Sequence, residues 1–277
     1  NPIVGDRGKK YVMSESYGFN VGYNFNDDQK LTYKYTHSNY VWNYNNPISF
    51  LKDKSGNEAW NGSLSNTNGS KVSVTPYTLL GNNGWRVYDM HSLTYNDQRN
   101  KIHAHFGMTD YTKDGYTYAS SKNTGLEGAG SKSSYPSKSW DFDINKRWIL
   151  GAHTILLGTS YGEDRFDQKV YDITNWRNWD SARKDNKTEL HGGKDKSYAV
   201  YLQDKWEVSD KWTAYIGGRY DHYKKYDGYG QLKDKGLQLF DSKSYGKFSP
   251  KLSIDYKLND ETNLYASYGK SFNPPIL

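Results

Sequence analysis

The chain contains no cysteine, which excludes a disulfide framework and any thiolate metal site. Aliphatic side chains are scarce. Hydrophobic residues make up 35% of 277 and the mean hydropathy is −1.00, so no ordinary two-layer core is visible. No apolar run approaches the roughly 20 residues of a membrane-crossing helix, and no charged-then-apolar leader stands at Asn1. P-loops, dinucleotide fingerprints and Ser-His-Asp arrangements are missing as well, so neither a cofactor nor catalysis is expected. The formal charge is +6 and its cations are scattered, a solvated-surface pattern that does not point to nucleic acid.

What the chain has instead is rings. With 27 Tyr, 9 Trp and 9 Phe, 16% of it is aromatic, a share that disordered chains avoid. The rings sit in a period-2 pattern. From Ser197 to Tyr223 the sequence reads as a β-hairpin: Trp212, Ala214, Ile216, Gly218 and Tyr220 fall on one face and Thr213, Tyr215, Gly217, Arg219 and Asp221 on the other. The preceding arm puts Tyr198, Val200, Leu202 and Trp206 in the apolar row, interrupted by Asp204, and Val208 to Lys211 leaves room only for a tight connection. Each arm is about ten residues, the length of a tilted strand crossing a bilayer.

The same unit recurs. Tyr17, Phe19, Val21, Tyr23 and Phe25 lead through Asn26–Gln29 to Leu31, Tyr33 and Tyr35. Residues from Trp85 lead through Asn96–Asn100 to Ile102, Ala104, Phe106 and Met108. Trp140, Phe142 and Ile144 lead to Ile155, Leu157, Thr159 and Tyr161. Phe248, Pro250, Leu252, Ile254, Tyr256 and Leu258 lead through Asn259–Glu261 to Leu264, Ala266 and Tyr268. Five hairpins predict about ten strands. Short turns near Asp28, Gln98, Leu150, Ser209 and Asp260 alternate with long loops expected at 45–84, 112–138, 163–196 and 224–246. Trimmed connections on one rim and long ones on the other are the signature of an outer-membrane β-barrel, with short periplasmic turns, long extracellular loops and lipid on the apolar face. Such strands escape a hydropathy scan because only every second residue meets lipid.

Two other readings remain open on pattern alone. A soluble β-rich protein, such as a glycan binder, would also carry many short strands and many rings, although a propeller blade fits four strands into about 45 residues where this chain fits two. A complete ten-stranded barrel would suit an omptin-like protease, which needs paired carboxylates and an Asp-His pair to activate water. Asp221-His222 is present, but the Asp27-Asp28 pair lies at the opposite rim.

Over Tyr198 to Pro275 the residues carry a resemblance. Leu202-Gln203-Asp204 with Trp206, then Gly217-Gly218-Arg219-Tyr220-Asp221, Ser249-Pro250-Lys251 and Tyr265-Ala266-Ser267-Tyr268 resemble the barrel of the TonB-dependent outer-membrane receptors, importers of siderophores, haem and cobalamin. Ser271 to Pro275 stands where many members have a Phe-Arg-Ala-Pro type box and departs from it at Asn273 and Pro274. The resemblance implies an all-β, antiparallel transmembrane barrel of 22 strands, of which residues 1–277 would be an internal part without the plug domain and the C-terminal strands. It also implies the outer membrane of a diderm bacterium, an iron chelate or similar scarce nutrient as ligand, and energy coupling to TonB through the plug.

Candidate ligand contacts are the rings and cations read as loop residues: Tyr40, Trp42 and Tyr44 entering the first loop, and Tyr171, Trp176, Arg177 and Trp179 in the third, where stacking and charge pairing suit a flat or anionic chelate; the rings nearest the strands read equally as an interfacial girdle, and Trp176 and Trp179 as packing within the loop. His191, beside Gly192-Gly193, could face haem iron. The same-face pair His103 and His105 reads as polar lumen wall or as two ligands of a metal.

Overall fold

A computed structural model describes residues 3–271 except 66–68, 70, 124–125 and 233–234; the Phe272 to Pro275 stretch therefore lies outside the described residues. Ten antiparallel strands follow one another in chain order: β1 (Lys9–Asn24), β2 (Gln29–Asn45), β3 (Asn83–Asp97), β4 (Ile102–Ala119), β5 (Ser137–Leu150), β6 (His153–Ile173), β7 (Ala182–Glu207), β8 (Trp212–Gln231), β9 (Lys243–Lys257) and β10 (Asn263–Gly269). Along this ten-strand path every neighbour is a neighbour in sequence, the topology of an up-and-down wall; short strands at Gly130–Ser134 and Gln238–Phe240 add to its upper rim, the first between β4 and β6. Tight turns at 25–28, 98–101, 151–152, 208–211 and 258–262 close one rim. In the third, Gly151 takes φ +59°, a left-handed conformation glycine adopts without strain.

The opposite rim differs from expectation. The first long loop holds as 46–82, but the other three shrink to 120–136, 174–181 and 232–242. Strands simply continue: β6 has 21 residues and β7 has 26. Pairs such as Glu163 with Lys196 and Lys169 with Leu190 extend the ladder through sequence with no apolar alternation. The ladder is made by main-chain groups, which bond whatever the side chains are. Where both faces of the wall are polar no alternation is imposed, so the period-2 signal disappears while the strand does not.

Register fixes two faces. On one, Phe142, Ile144, Leu157, Val200, Leu202, Ile216, Leu252 and Ile254 are all exposed, and partners fall on the same side, as in Leu157 with Leu202 and Ile254 with Ala214. Rings bracket this apolar band. Near the tight turns stand Trp148, Trp206, and Trp212 tilted against Tyr256 at 4.4 Å; about eight to ten residues further stand Trp140 and Tyr161, 4.8 Å apart, and Tyr198. The other face is polar. There Tyr201 of β7 lies over Gly158 of β6, where an added Cβ would come within 2.3 Å of its ring, and its hydroxyl donates to Asp143 of β5 at 3.0 Å.

A small core of ordinary type sits on the long-loop rim. Trp60, Val74, Leu79, Leu80, Ala119, Ile173 and Trp176 bury one another, joining the first loop to the ends of β4 and β6.

Candidate functional site

Above the outer ring belt, the polar face of β3 to β6 becomes a surface of aromatic groups. Tyr88 and Tyr111 face each other across strands at 5.1 Å, and Arg86 lies 5.9 Å over the Tyr111 ring while its Nε meets Asp114 at 3.3 Å. Tyr116 packs on Tyr135 at 5.8 Å, which stacks on Phe166 at 6.4 Å. Burial pushes the Tyr118 and Tyr135 hydroxyls above the usual phenol range, so these remain neutral donors. The surface ends in a hollow of about 430 Å³ whose lining includes Phe166, Gln168, His191, Lys225, Phe240 and Lys243, with the Asp241 carboxylate among them. Rings, neutral phenols, an imidazole and two ammoniums can stack on and neutralise a flat anion. Sequence reading missed Tyr116 and Tyr118 because they belong to a strand extension it takes for a loop; Tyr88 and Tyr111 flank a register shift that breaks the alternation of their arms, and Tyr135 lies in the 120–136 connection.

Below the hollow a carboxylate pair faces the same side. Asp164 and Asp195 are direct partners across β6 and β7. Partial burial and then the Asp195 charge raise Asp164 to about 6, and burial raises Asp195 as well. Like charges directly opposed repel, so a proton is retained on Asp164 up to about pH 6.

The residues singled out in the sequence are redistributed. Tyr40, Trp42 and Tyr44 lie on strand β2 rather than in a loop; Tyr40 and Trp42 are 5.6 Å apart and Trp42 Nε1 donates to Asn82. Tyr171 is on β6 and His191 on β7, paired with Gln168, so neither is a loop residue. Trp176, Arg177 and Trp179 do occupy the 174–181 connection, only a few residues past Ile173. Their ring faces are already occupied. Trp176 is fully buried, donates from Nε1 to Leu126 O at 3.0 Å and carries the Arg177 guanidinium at 4.7 Å. Trp179 sits edge-on to Trp85 at 4.7 Å and under Lys132 at 4.2 Å.

His103 and His105 share the polar face, where His103 Nδ1 meets Asn96 at 2.7 Å and His105 Nε2 lies 3.8 Å from Asp141. Among the described residues no group of three or more His, Asp or Glu is placed to hold a metal. Asp221 and His222 point to opposite faces, as successive strand residues must: Asp221 is buried against Arg219 Nε at 2.7 Å, and His222 stacks on Tyr198 at 4.8 Å. They cannot act together on one water.

A family model described as TonB-dependent receptor-like, β-barrel, matches residues 6–277. A ferric-pyoverdine BN7/BN8 receptor of Pseudomonas putida is 29% identical over 106 residues, 37% of this chain and 13% of that protein. The ferric-catecholate import receptor Fiu from E. coli K12 superposes with a TM-score of 0.59 at 15% identity, covering 98% of this chain and 49% of its own. The copper transporter OprC gives a TM-score of 0.66 at 10% identity, covering 96% of this chain and 38% of its own. The chain thus spans less than half the length of each of these proteins, and at such identities the two structures speak for the fold alone.

Proposed function

Since the chain belongs to the TonB-dependent receptor-like β-barrel family, we propose that it forms part of the wall of an outer-membrane receptor that captures a ferric siderophore and admits it through the barrel lumen. In this reading the apolar face meets lipid, the polar face lines the lumen, and the rim of long connections is extracellular. Residues 1–277 are then a portion of the barrel domain, gated by a plug that other parts of the protein supply and energised through TonB. No catalytic step is involved.

The observation that supports the ligand class is the run of Tyr88, Tyr111, Tyr116, Tyr135 and Phe166 leading to His191, Lys225 and Lys243. Aromatic faces beside cations bind planar, negatively charged chelates by stacking and charge pairing. Tyr40, Trp42, Tyr44 and His191 belong to this wall as ligand-facing residues. Tyr171, Trp176, Arg177 and Trp179 serve it indirectly, by holding the 174–181 connection in place.

Equilibrium binding of ferric catecholate and ferric pyoverdine-type chelates to the full-length receptor tests this. Tyr111→Ala with Tyr135→Ala should weaken the chelate that binds by about 1–3 kcal/mol, the scale of one or two stacking contacts. Failure of every iron chelate to bind the wild type would remove the ligand class; equal binding by the double variant would remove the site.

A further inference from the structure

One row of the polar face carries its charges in sorted order. Asp164 of β6, Asp195 of β7, Lys225 of β8 and Lys243 of β9 are successive cross-strand partners, so two carboxylates and then two ammoniums run side by side across four strands. Only the middle contact joins opposite charges. Directly opposed residues lie about 5 Å apart between Cβ atoms, so both outer contacts repel; a proton on the acid pair relieves one and an anion on the lysine pair relieves the other. The two ends of the row face different surroundings. Lys225 and Lys243 stand in the lining of the hollow with Phe166 and His191. Asp164 faces the uncharged Ser139 of β5, and Asp141, one step below on the same face, adds a third negative charge. Partial burial, the Asp195 charge and a hydrogen bond to Asp195 raise the Asp164 carboxyl to about 6. On β8 and β9, Tyr223 and Tyr245 stand opposed one step below the lysines, and further down Arg219 is committed to Asp221 at 2.7 Å.

We propose that capture of an anion at Lys225 and Lys243 is coupled to uptake of a proton from solvent by the Asp164 and Asp195 pair, so that the hollow binds its anion more tightly as the medium acidifies. This rests on the ligand reading above and adds its regulation. An anion in the hollow draws Lys225 away from Asp195 and sets a further negative charge beside the pair, and both changes raise the affinity of the pair for a proton. The coupling is reciprocal. A protonated pair repels the anion less and leaves both ammoniums to it. Tyr226 and Tyr229, also in the lining, are pushed up to about 12, chiefly by burial, and do not titrate near neutrality. His191 and Asp241 line the same hollow, and substitution separates them from the pair.

The test is equilibrium binding of a hexadentate ferric catecholate and of a ferric pyoverdine-type chelate to the full-length receptor, with protons counted by titration calorimetry in buffers of different ionisation heat. Wild type should bind about 5-fold more tightly at about pH 6 than at about pH 8, as a rise of about one unit in the proton affinity of the pair requires. It should take up about half a proton per chelate near pH 6.5. Asp164→Asn should bind about 10-fold more tightly than wild type at about pH 8, keep that affinity at about pH 6 and take up no proton. A damaged wall would not gain affinity. The protonation of the chelate itself is common to both receptors and cancels between them. Where Asp164→Asn does not fold, Asp195→Asn should show the same loss of pH dependence. His191→Gln and Asp241→Asn should each keep the wild-type slope. Binding without proton uptake, a wild-type slope in Asp164→Asn, or a slope abolished by His191→Gln or Asp241→Asn instead, overturns the coupling. If no iron chelate binds, the ligand class falls and the row is judged without one. The infrared carboxylic-acid band that Asp164→Asn removes should then persist to higher pH in Lys225→Gln with Lys243→Gln, which takes both cations from the row. A raised midpoint upholds the coupling whatever the anion, and an unmoved one overturns it.

Discussion

Strands β6 and β7 are built to two opposite rules along their own length. Between the ring belts they are inside out: Leu202 is 53% exposed while Ala199, on the polar face, is 2% exposed. Past the outer belt the same strands rise to a connection organised like a water-soluble protein, with Trp176 at 0% exposure among Trp60, Leu79, Leu80, Ala119 and Ile173. The difference lies in what surrounds each part. In hydrocarbon there is no reward for hiding apolar area, and the wall is held by its main-chain ladder; in water the reward is about 25 cal/mol per Å² buried, so loop segments gather round a tryptophan.

The two rules predict separable failures. Trp176→Ala opens a cavity in the upper core and should cost about 3–5 kcal/mol of local stability, typical of a buried ring. Hydrogen exchange and protease sensitivity should rise at 174–181 while the heat-modifiable barrel persists; unfolding of the entire wall would show that the two parts are one cooperative unit. Ile254→Lys strikes the lower part. It places an ammonium against lipid between Ala214 and Ala266 and should cost about 2–4 kcal/mol in vesicle refolding, whereas Ser253→Lys, on the polar face, should be mild. Equal costs would undo the face assignment.

The smallest effect concerns pH. Asp164 is raised to about 6 in the fold, above the ordinary carboxylate value near 3.9. The folded state therefore holds more protons than the unfolded one between about pH 4 and 6, and stability falls as pH rises through that window. Because Asp164 is about half exposed to solvent, screening reduces the loss to something on the order of 1 kcal/mol. Asp164→Asn should flatten the pH dependence of hydrogen exchange around β6 and β7; an unchanged profile would mean the pair is not coupled.

Much of the lower part was legible in the sequence, and little of the upper. Trp212 to Tyr220 and Phe248 to Leu258 alternate because lipid and lumen impose different demands on successive residues, and the tight turns announce themselves by Asn, Asp and Gly. Nothing local announces that Glu163 to Ile173 remains a strand, since water on both faces imposes no alternation. For Trp176 the sequence leaves ligand contact and loop packing equally open, and the structure takes the second. Its partners come from Trp60, Leu79 and Ala119, separations over which no periodicity carries information. Tyr116 and Tyr118 were hidden for the first reason, and for the same reason His191, singled out in the sequence, was placed in a loop and not on a strand.

Alternation also leaves one ambiguity that it cannot resolve, and the ring of Tyr201 resolves it. Sliding a strand by two residues keeps every side chain on its proper face, so face chemistry is blind to the error. Tyr201, however, reaches across β6 to Asp143 only by crossing a residue without a Cβ. Slip β7 by two, and Leu156 or Ser160 takes the place of Gly158 beneath it; the ring collides and the hydroxyl loses its acceptor. The glycine with its covering tyrosine thus works as a parity-independent key, proofreading the alignment of three strands at once while the wall assembles.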